Sequence, residues 1–189
     1  GRGVDQDYVN ALNAYTKDVV ILTQNKGLAA AWGFAILYMP YDYMVILTAD
    51  MLVLPDYYLR LMKPFLEVPK VGVSGEAWRP SIKEDYVLSN FDQGIDGIAA
   101  YSREAINAVG GFSPSFNGRG PFFTELHRRM ARADWKFAAV DGLCEHGGLQ
   151  HEGRDSFPKW RDELHQDNLA YLRAEKMGYQ GYSWWRTDI

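Results

Sequence analysis

The chain has 189 residues, of which 47% are hydrophobic and 23% charged, a balance typical of a globular domain and not of a disordered or fibrous protein. Its net charge of -4 argues against a general nucleic-acid binder, which would present a basic face. The single cysteine cannot form an internal disulfide, and the longest apolar stretch, residues 28–39, is well below the roughly 20 residues that span a bilayer. We therefore expect one domain over residues 1–189, with no transmembrane segment, no nucleic-acid partner and a cytoplasmic location.

The first part of the chain alternates helical and strand patterns. Apolar spacing predicts helices at residues 7–15, at residues 28–39 and from Pro55-Asp56 onwards. Between and after them it predicts buried strands at residues 19–22, 43–47 and 71–73. In the third helix, Leu59, Met62 and Leu66 are expected to share one face.

The second part begins with a polar stretch, residues 79–93, for which we predict a surface loop. Strands are predicted at residues 98–101 and 137–140, and helices at residues 103–109, 124–133 and 156–178. Gly110-Gly111 is expected to end its helix with a left-handed cap. The alternation indicates parallel strands with helices packed on them, and the expected fold is α/β with a mixed, mostly parallel sheet flanked by helices.

Ligands of such sheets bind beyond the carboxyl ends of the strands, where Asn25, Asp50 and Glu76 are expected. Asp50 stands out because it interrupts the apolar run VILTADMLVL, and a charge there is costly unless it is paired or holds a cation. A carboxylate after a buried strand can hold Mg²⁺ or Mn²⁺ against the phosphates of a nucleotide. The alternative is a helix cap or a salt-bridge partner.

Three further segments bear on this choice. The turn Asn25-Lys26-Gly27 precedes a helix, whose free N–H groups and dipole attract phosphate. The second segment, residues 97–112, reads GIAAYSREAINAVGGF. The third, residues 137–148, ends a predicted strand in His146-Gly147-Gly148.

In order and spacing, these segments resemble the inverting nucleotide-sugar glycosyltransferases of family 2, which have the GT-A fold. The resemblance runs from about residue 19 to about residue 151. Four family motifs are matched. Asn25 and Gly27 match the Asn-x-Gly turn, and Thr48-Ala49-Asp50 matches the Asp-x-Asp-like motif. Arg103-Glu104-Ala105 and Gly110-Gly111-Phe112 match the Arg-Glu-Ala helix with its Gly-Gly-Phe end, and His146-Gly147-Gly148 matches the late His-x-Gly element.

The resemblance implies a donor site for a nucleoside-diphosphate sugar and a bound Mn²⁺ or Mg²⁺. The residues it assigns to donor binding are Asn25, Lys26, Gly27, Thr48 and Asp50. Asp50 and His146 are the implied metal ligands, and His151 is close enough in sequence to compete with His146. Residues 1–78 then form the nucleotide-sugar-binding half, and residues 79–189 form the acceptor-side half with a C-terminal helix.

Two departures from the family pattern stand out. The family's first strands have no counterpart in the sequence, which begins in what reads as the following helix. In addition, Phe123 occupies the position of the family's acidic base. The nearest replacements are Glu125, two residues further on, and Asp96, which precedes a predicted strand.

The expected function is transfer of a sugar, with inversion, from a nucleoside-diphosphate sugar to the hydroxyl group of an acceptor, with a saccharide as the expected acceptor. Two alternatives remain: a non-catalytic relative that binds a nucleotide, a glycan or a partner protein, and a nucleotidyltransferase on the related fold. Trp184 and Trp185 are expected either to stack on a sugar or to cover the core.

Overall fold

The computed structural model describes residues 6–17, 19–21, 28–38, 40–47, 51–77, 84–92, 95–113 and 122–146. Its helices are α1 (Gln6–Tyr15), α2 (Leu28–Tyr38), α3 (Tyr57–Glu67), α4 (Arg103–Ala108) and α5 (Phe122–Arg132). Its strands are β1 (Tyr43–Leu47), β2 (Met51–Val53), β3 (Val71–Ala77), β4 (Val87–Ser89), β5 (Ile95–Ser102), β6 (Lys136–Val140) and β7 (Cys144–His146). Across these ranges no helix is long and apolar enough to cross a membrane.

Five strands form one mixed sheet in the order β1-β5-β3-β6-β4. Strands β3 and β6 are parallel, whereas β5 runs antiparallel to both β1 and β3, and β4 runs antiparallel to β6. The predicted mixed sheet is confirmed, but the described strands are not mostly parallel, because β5 lies between β1 and β3 in the opposite direction and β4 is antiparallel to β6. Nevertheless β1, β3 and β6 all point the same way, so their carboxyl ends share one edge. We call this the carboxyl edge; β5 begins there.

Strands β2 and β7 form a separate antiparallel pair, in which Met51 lies opposite His146 and Val53 opposite Cys144. The sequence analysis predicted neither strand. Each has only three residues, too few for a period-two pattern to be recognised.

Helices cover both faces of the main sheet. On one face, residues of α2, α4 and α5 pack against alternate residues of β5 such as Ala99 and Tyr101. On the other face, Leu61 and Met62 of α3 pack against Ile98 and Ala100. This division follows from the period of two along a strand, which sends successive side chains of β5 to opposite faces.

Of the three apolar residues expected to share one face of α3, Met62 is buried, whereas Leu59 and Leu66 are exposed. Tyr57, Leu61 and Phe65, spaced four residues apart, face the sheet. Residues 59 and 61 lie about 200° apart around a helix, so they cannot both face the sheet. The sequence contained two apolar stripes, and packing on the sheet selected the second.

Two further predictions need correction. Residues 19–21 are not a buried strand: Val20 and Ile21 are exposed, and no described strand pairs with this segment. Conversely, the predicted loop at residues 79–93 contains β4, a three-residue edge strand held by its ladder to β6. In both places, strand formation depends on a distant partner.

The boundaries of α4 agree with local sequence signals. Ser102 caps its amino end, its hydroxyl oxygen accepting a hydrogen bond from the N–H of Ala105 at 3.3 Å. At the other end Gly110 and Gly111 have φ angles of 80° and 78°, a region that glycine adopts without steric cost. The predicted left-handed cap is confirmed.

Candidate functional site

Several carboxylates gather at the carboxyl edge of the main sheet. Glu76 lies one residue before the end of β3, Asp141 directly follows β6, and Asp92 lies just before β5 begins. In chain order, β1 leads through residues 48–50 into β2. The topology therefore brings the end of β1, the end of β3 and the turn after β6 to the edge where ligands of α/β sheets bind.

The predicted site residues differ in how far the structure describes them. Those outside the described residues are Asn25, Lys26, Gly27, Thr48, Asp50, His151, Trp184 and Trp185. Asp96 lies within β5 and not before it, and His146 is the last residue of β7; for both, the structure describes the backbone. Glu125 is described in full.

The β2–β7 pair bears on the predicted metal ligands. His146 lies opposite Met51, the residue that follows Asp50 in the chain. Two residues along the same ladder, the Cys144 thiol lies 3.4 Å from the sulfur of Met51, a contact that fastens the two strands together. The fold thus brings together two segments that are far apart in sequence.

The turn that leads into β7, residues 141–143, is held from both sides by charged side chains. The Arg60 guanidinium donates hydrogen bonds to the carbonyl oxygens of Gly142 at 2.7 Å and Asp141 at 2.5 Å. The Glu76 carboxylate accepts hydrogen bonds from the N–H groups of Gly142 at 3.2 Å and Leu143 at 2.6 Å. These four bonds fix the path of the chain toward His146.

Burial is the main influence on Glu76 and raises the pKa of its carboxyl group above the ordinary value. The hydrogen bonds from Leu143 and Gly142 and the charge of Arg60 act in the opposite direction, while the nearby Asp141 adds to the increase. The sequence placed Glu76 at the ligand edge, but its contacts with the turn depend on a partner more than 60 residues away.

Glu125, one of the predicted bases, lies in an ion pair within α5. Its two carboxylate oxygens accept hydrogen bonds from Arg129 at 2.5 and 2.6 Å, and its side chain is only 6% exposed. Arg129 also donates to the carbonyl oxygens of Val109 and Gly111, beyond the end of α4. The geometry gives Glu125 a role in joining two helices, and its role as a base stays a prediction.

Two side chains that the sequence analysis did not single out form a hydrogen-bonded chain with Tyr101. His127 Nδ1 lies 2.7 Å from an Asp92 carboxylate oxygen, and its Nε2 lies 2.9 Å from the Tyr101 hydroxyl. His127 and Tyr101 are each 1% exposed. A histidine inside an otherwise apolar helix face is the only local signal that could have pointed to this chain.

Phe123, at the position where the resemblance places a base, belongs to an aromatic cluster. Its ring stacks on Trp32 with centroids 4.3 Å apart, and it lies 6.3 Å from the ring of Phe112. The same ring is 6.0 Å from the imidazole of His127. An apolar side chain stands at the position of the expected carboxylate, and its neighbours are aromatic rings and the imidazole of His127.

The described side chains do not form a metal site by themselves, since they contain no group of three or more His, Cys, Asp or Glu that could hold an ion.

A cavity of about 270 Å³ lies at the other end of β1, lined by residues that include Tyr41, Tyr43 and Arg103. It is separated from the carboxyl edge by the length of the strand, so it does not belong to the site at that edge.

A mixed sheet with helices on both faces, and carboxylates at the edge where its strands end, defines an α/β protein of the kind that binds ligands at that edge. Residues 6–93 match the model of the family described as Glycosyl transferase family 2. This match confirms that the chain resembles family 2, as predicted from the sequence. No curated protein sequence matches the chain.

The solved structures that are similar to the chain include two complexes with Mn²⁺. A mannosyltransferase from Pyrobaculum calidifontis, PcManGT, in complex with GDP-Man and Mn²⁺, superposes with a TM-score of 0.62 at 19% identity, over 89% of this chain and 50% of that one. GalNAc-T7 with UDP, GalNAc and Mn²⁺ superposes with a TM-score of 0.55 at 14% identity, over 95% of this chain and 43% of that one. These similarities show a shared GT-A fold. The chain spans half or less of the length of either protein.

Proposed function

We propose that this chain transfers a sugar from a nucleoside-diphosphate sugar to the hydroxyl group of a saccharide acceptor, with inversion at the sugar carbon. The family match and the two similar structures, whose bound molecules are GDP-Man with Mn²⁺ and UDP, GalNAc with Mn²⁺, support this reaction class. The observation that carries the proposal is the β2–β7 ladder, in which His146 lies opposite the residue after Asp50.

Asp50 and His146 are the residues that would hold Mn²⁺ or Mg²⁺. A carboxylate and an imidazole form a donor set suited to Mn²⁺, and the ladder between β2 and β7 brings the two residues' segments together. When bound, the ion supplies positive charge that offsets the charge developing on the diphosphate leaving group. The proposed role of Asn25, Lys26, Gly27 and Thr48 is to bind the diphosphate with N–H groups and side-chain donors.

The turn at residues 141–143, which precedes β7 and His146, also supports the assignment of Asp50 and His146. Arg60 and Glu76 together fix four backbone groups of the turn, and Leu54 N–H donates to the Leu143 carbonyl at 3.0 Å. The short β2–β7 ladder therefore has a rigid connection to the main sheet. Precise placement of ligands on rigid elements is what a metal site requires.

A second candidate function is non-catalytic binding of a nucleotide or glycan on the same framework. The observation that favours it is the aromatic packing of Phe123, which leaves no carboxylate at the position of the expected base. The two functions differ in a measurable way, because only the first predicts release of nucleoside diphosphate with transfer of the sugar.

We predict that Asp50→Asn abolishes metal-dependent nucleotide binding while the fold is kept. In the parent protein, GDP or UDP with Mn²⁺ should raise the melting temperature, since a ligand at a hundred times its Kd adds about 2.7 kcal/mol to the stability of the folded state. The measurement is a thermal-shift panel of nucleoside diphosphates and their sugars, with Mn²⁺ and with a chelator.

The matched control is Asp42→Asn, the same substitution at an exposed position before the other end of β1. It should respond to Mn²⁺ and nucleotide as the parent does. An Asp50→Asn variant with the parent's full metal response would remove Asp50 from the site and contradict the proposal.

A further inference from the structure

The hydrogen-bonded chain of Asp92, His127 and Tyr101 has one member near solvent and two in the core. The side chain of Asp92 is 11% exposed and that of His127 only 1%. Tyr101 belongs to β5, His127 to α5 and Asp92 to the segment between β4 and β5. The hydrogen bonds thus connect three separate segments of the protein, from the core toward the surface.

The direction of these hydrogen bonds follows from the chemistry of the groups. A carboxylate is an acceptor only, so His127 Nδ1 must carry the hydrogen that it donates to Asp92 Oδ2 at 2.7 Å. In the neutral ring, Nε2 is then an acceptor for the hydroxyl of Tyr101 at 2.9 Å. The other oxygen of Asp92, Oδ1, accepts from the N–H of Ile95 at 3.0 Å. One donor on each oxygen fixes the plane of the carboxylate.

Asp92, the least buried of the three residues, lies at the carboxyl edge. Ile95, the first residue of β5, pairs with Ala77, the last residue of β3, so Asp92 lies close to where β3 ends. On α5, His127 follows Phe123 by one helical turn, and their rings are 6.0 Å apart. Asp92 is therefore hydrogen-bonded to His127, whose ring lies next to Phe123, the residue at the position of the expected base.

We propose that Asp92 is the general base of the sugar transfer and that His127 is a positioning residue that orients its carboxylate. This inference rests on the proposed function. The hydroxyl proton of the acceptor passes to Asp92, and the acceptor oxygen forms a bond to the sugar carbon. The bond between that carbon and the phosphate oxygen breaks, and the nucleoside diphosphate leaves with the electron pair.

The geometry favours Asp92 over Glu125 for this role. Both oxygens of Glu125 accept hydrogen bonds from the guanidinium of Arg129. The side chain of Asp92 is 11% exposed and lies near the sheet edge, whereas that of Glu125 is 6% exposed and pairs with Arg129 at the junction of α4 and α5. Asp92 also has the imidazole contact that often orients a reacting carboxylate or its partner in an active site.

The test is the transfer kinetics of Asp92→Asn, with the donor identified by the thermal-shift panel and a saccharide acceptor. Asparagine keeps an oxygen for the N–H of Ile95 but cannot take up a proton, so kcat should fall by about a hundredfold or more. The donor-dependent thermal shift and the donor KM should stay close to those of the parent, because the base acts on the acceptor. The control is Asp134→Asn, at an exposed position before the opposite end of β6.

A second pair of variants tests the positioning role of His127. His127→Asn retains an N–H in the place of Nδ1, whereas His127→Gln presents its amide in the place of Nε2. We expect kcat of the Asn variant to exceed that of the Gln variant, with similar donor KM in both. A purely structural role would lower the melting temperatures of both without separating their kcat values.

The outcomes distinguish the two proposals. Transfer by Asp92→Asn at the parent's rate overturns the assignment of Asp92 and leaves the proposed function standing. A parent protein that binds nucleotide and Mn²⁺ but transfers no sugar overturns both. If Asp92→Asn does not fold, the order of the two His127 variants decides the matter, and equal kcat values for them overturn the inference.

Discussion

Glu76 is a single residue whose environment the fold changes substantially. Its carboxylate lies partly buried near the end of β3 and accepts two backbone hydrogen bonds from the turn at residues 141–143. Burial raises its pKa above the ordinary value near 4.5, so folding favours the protonated form. Burial therefore disfavours the ionised carboxylate, and the hydrogen bonds from the turn offset part of this cost.

At this scale we predict that Glu76→Gln destabilises the protein by about 1–2 kcal/mol at neutral pH, because an amide NH₂ group replaces one acceptor of a buried N–H. The stability of the parent relative to the variant should rise as the pH falls through the raised pKa of Glu76 and level off below about 4.5. The sign follows from linkage: the folded state binds this proton more tightly than the unfolded state. Urea unfolding of both proteins between about pH 4 and pH 8 measures the difference in their unfolding free energies. A difference that becomes smaller toward low pH would contradict the prediction.

Helices α4 and α5 are joined as elements by one side chain. Arg129 of α5 donates hydrogen bonds to the carbonyl oxygens of Val109 and Gly111, just beyond the end of α4, and pairs with Glu125 on its own helix. The last carbonyls of a helix have no partners within it, so a cation is favourable there. The Gly110-Gly111 turn is what brings these carbonyls to Arg129.

We predict that Arg129→Ala costs about 3 kcal/mol of stability, because it leaves the buried Glu125 without its partner. Arg132→Ala, at an exposed position in the last turn of the same helix, should cost under about 1 kcal/mol. Adding Glu125→Gln to Arg129→Ala should recover part of the loss. Chemical denaturation of the four proteins tests this, and equal losses in the two alanine variants would show that the junction is not held by Arg129.

At the scale of the whole molecule, β3 is the central strand of the five-stranded sheet, and the close approach of β5 to it depends on Gly75. A Cβ atom at Gly75 would lie 2.4 Å from Ile95 Cγ2 and 2.6 Å from the carbonyl oxygen of Ile98. The ladder between β3 and β5 is irregular between Gly75 and Ala77. This contact also sets where β5 begins, and hence where Asp92 lies.

We predict that Gly75→Ala destabilises the protein by about 1–3 kcal/mol, since one of the atoms in its way belongs to the backbone and cannot rotate aside. Gly33→Ala is the matched control, because nothing lies within 4 Å of a Cβ there and alanine favours the helical conformation of α2 by about 0.5–1 kcal/mol. The two variants should therefore shift the urea midpoint in opposite directions. A Gly75→Ala variant as stable as the parent would contradict this account of the sheet centre.

The sequence by itself determined the helices of the described region, the strands β1, β3, β5 and β6, and the glycine cap after α4. These features depend on apolar spacing and capping within a few residues of each position, and they agree with the structure to within a few residues at most ends. The ordered motifs also carried the family resemblance, which the match over residues 6–93 confirmed. The predicted donor residues, including Asp50, stay predictions.

The tertiary structure decided the features that depend on distant partners. It selected Leu61 and not Leu59 for the buried face of α3, placed β5 antiparallel between its neighbours, and paired Met51 with His146. It also joined Asp92 to His127 across 35 positions of sequence, a contact that no local pattern announces. The physical reason is common to all of them: spacing along the chain shows which side chains share a face, but packing alone decides which face is buried and what lies against it.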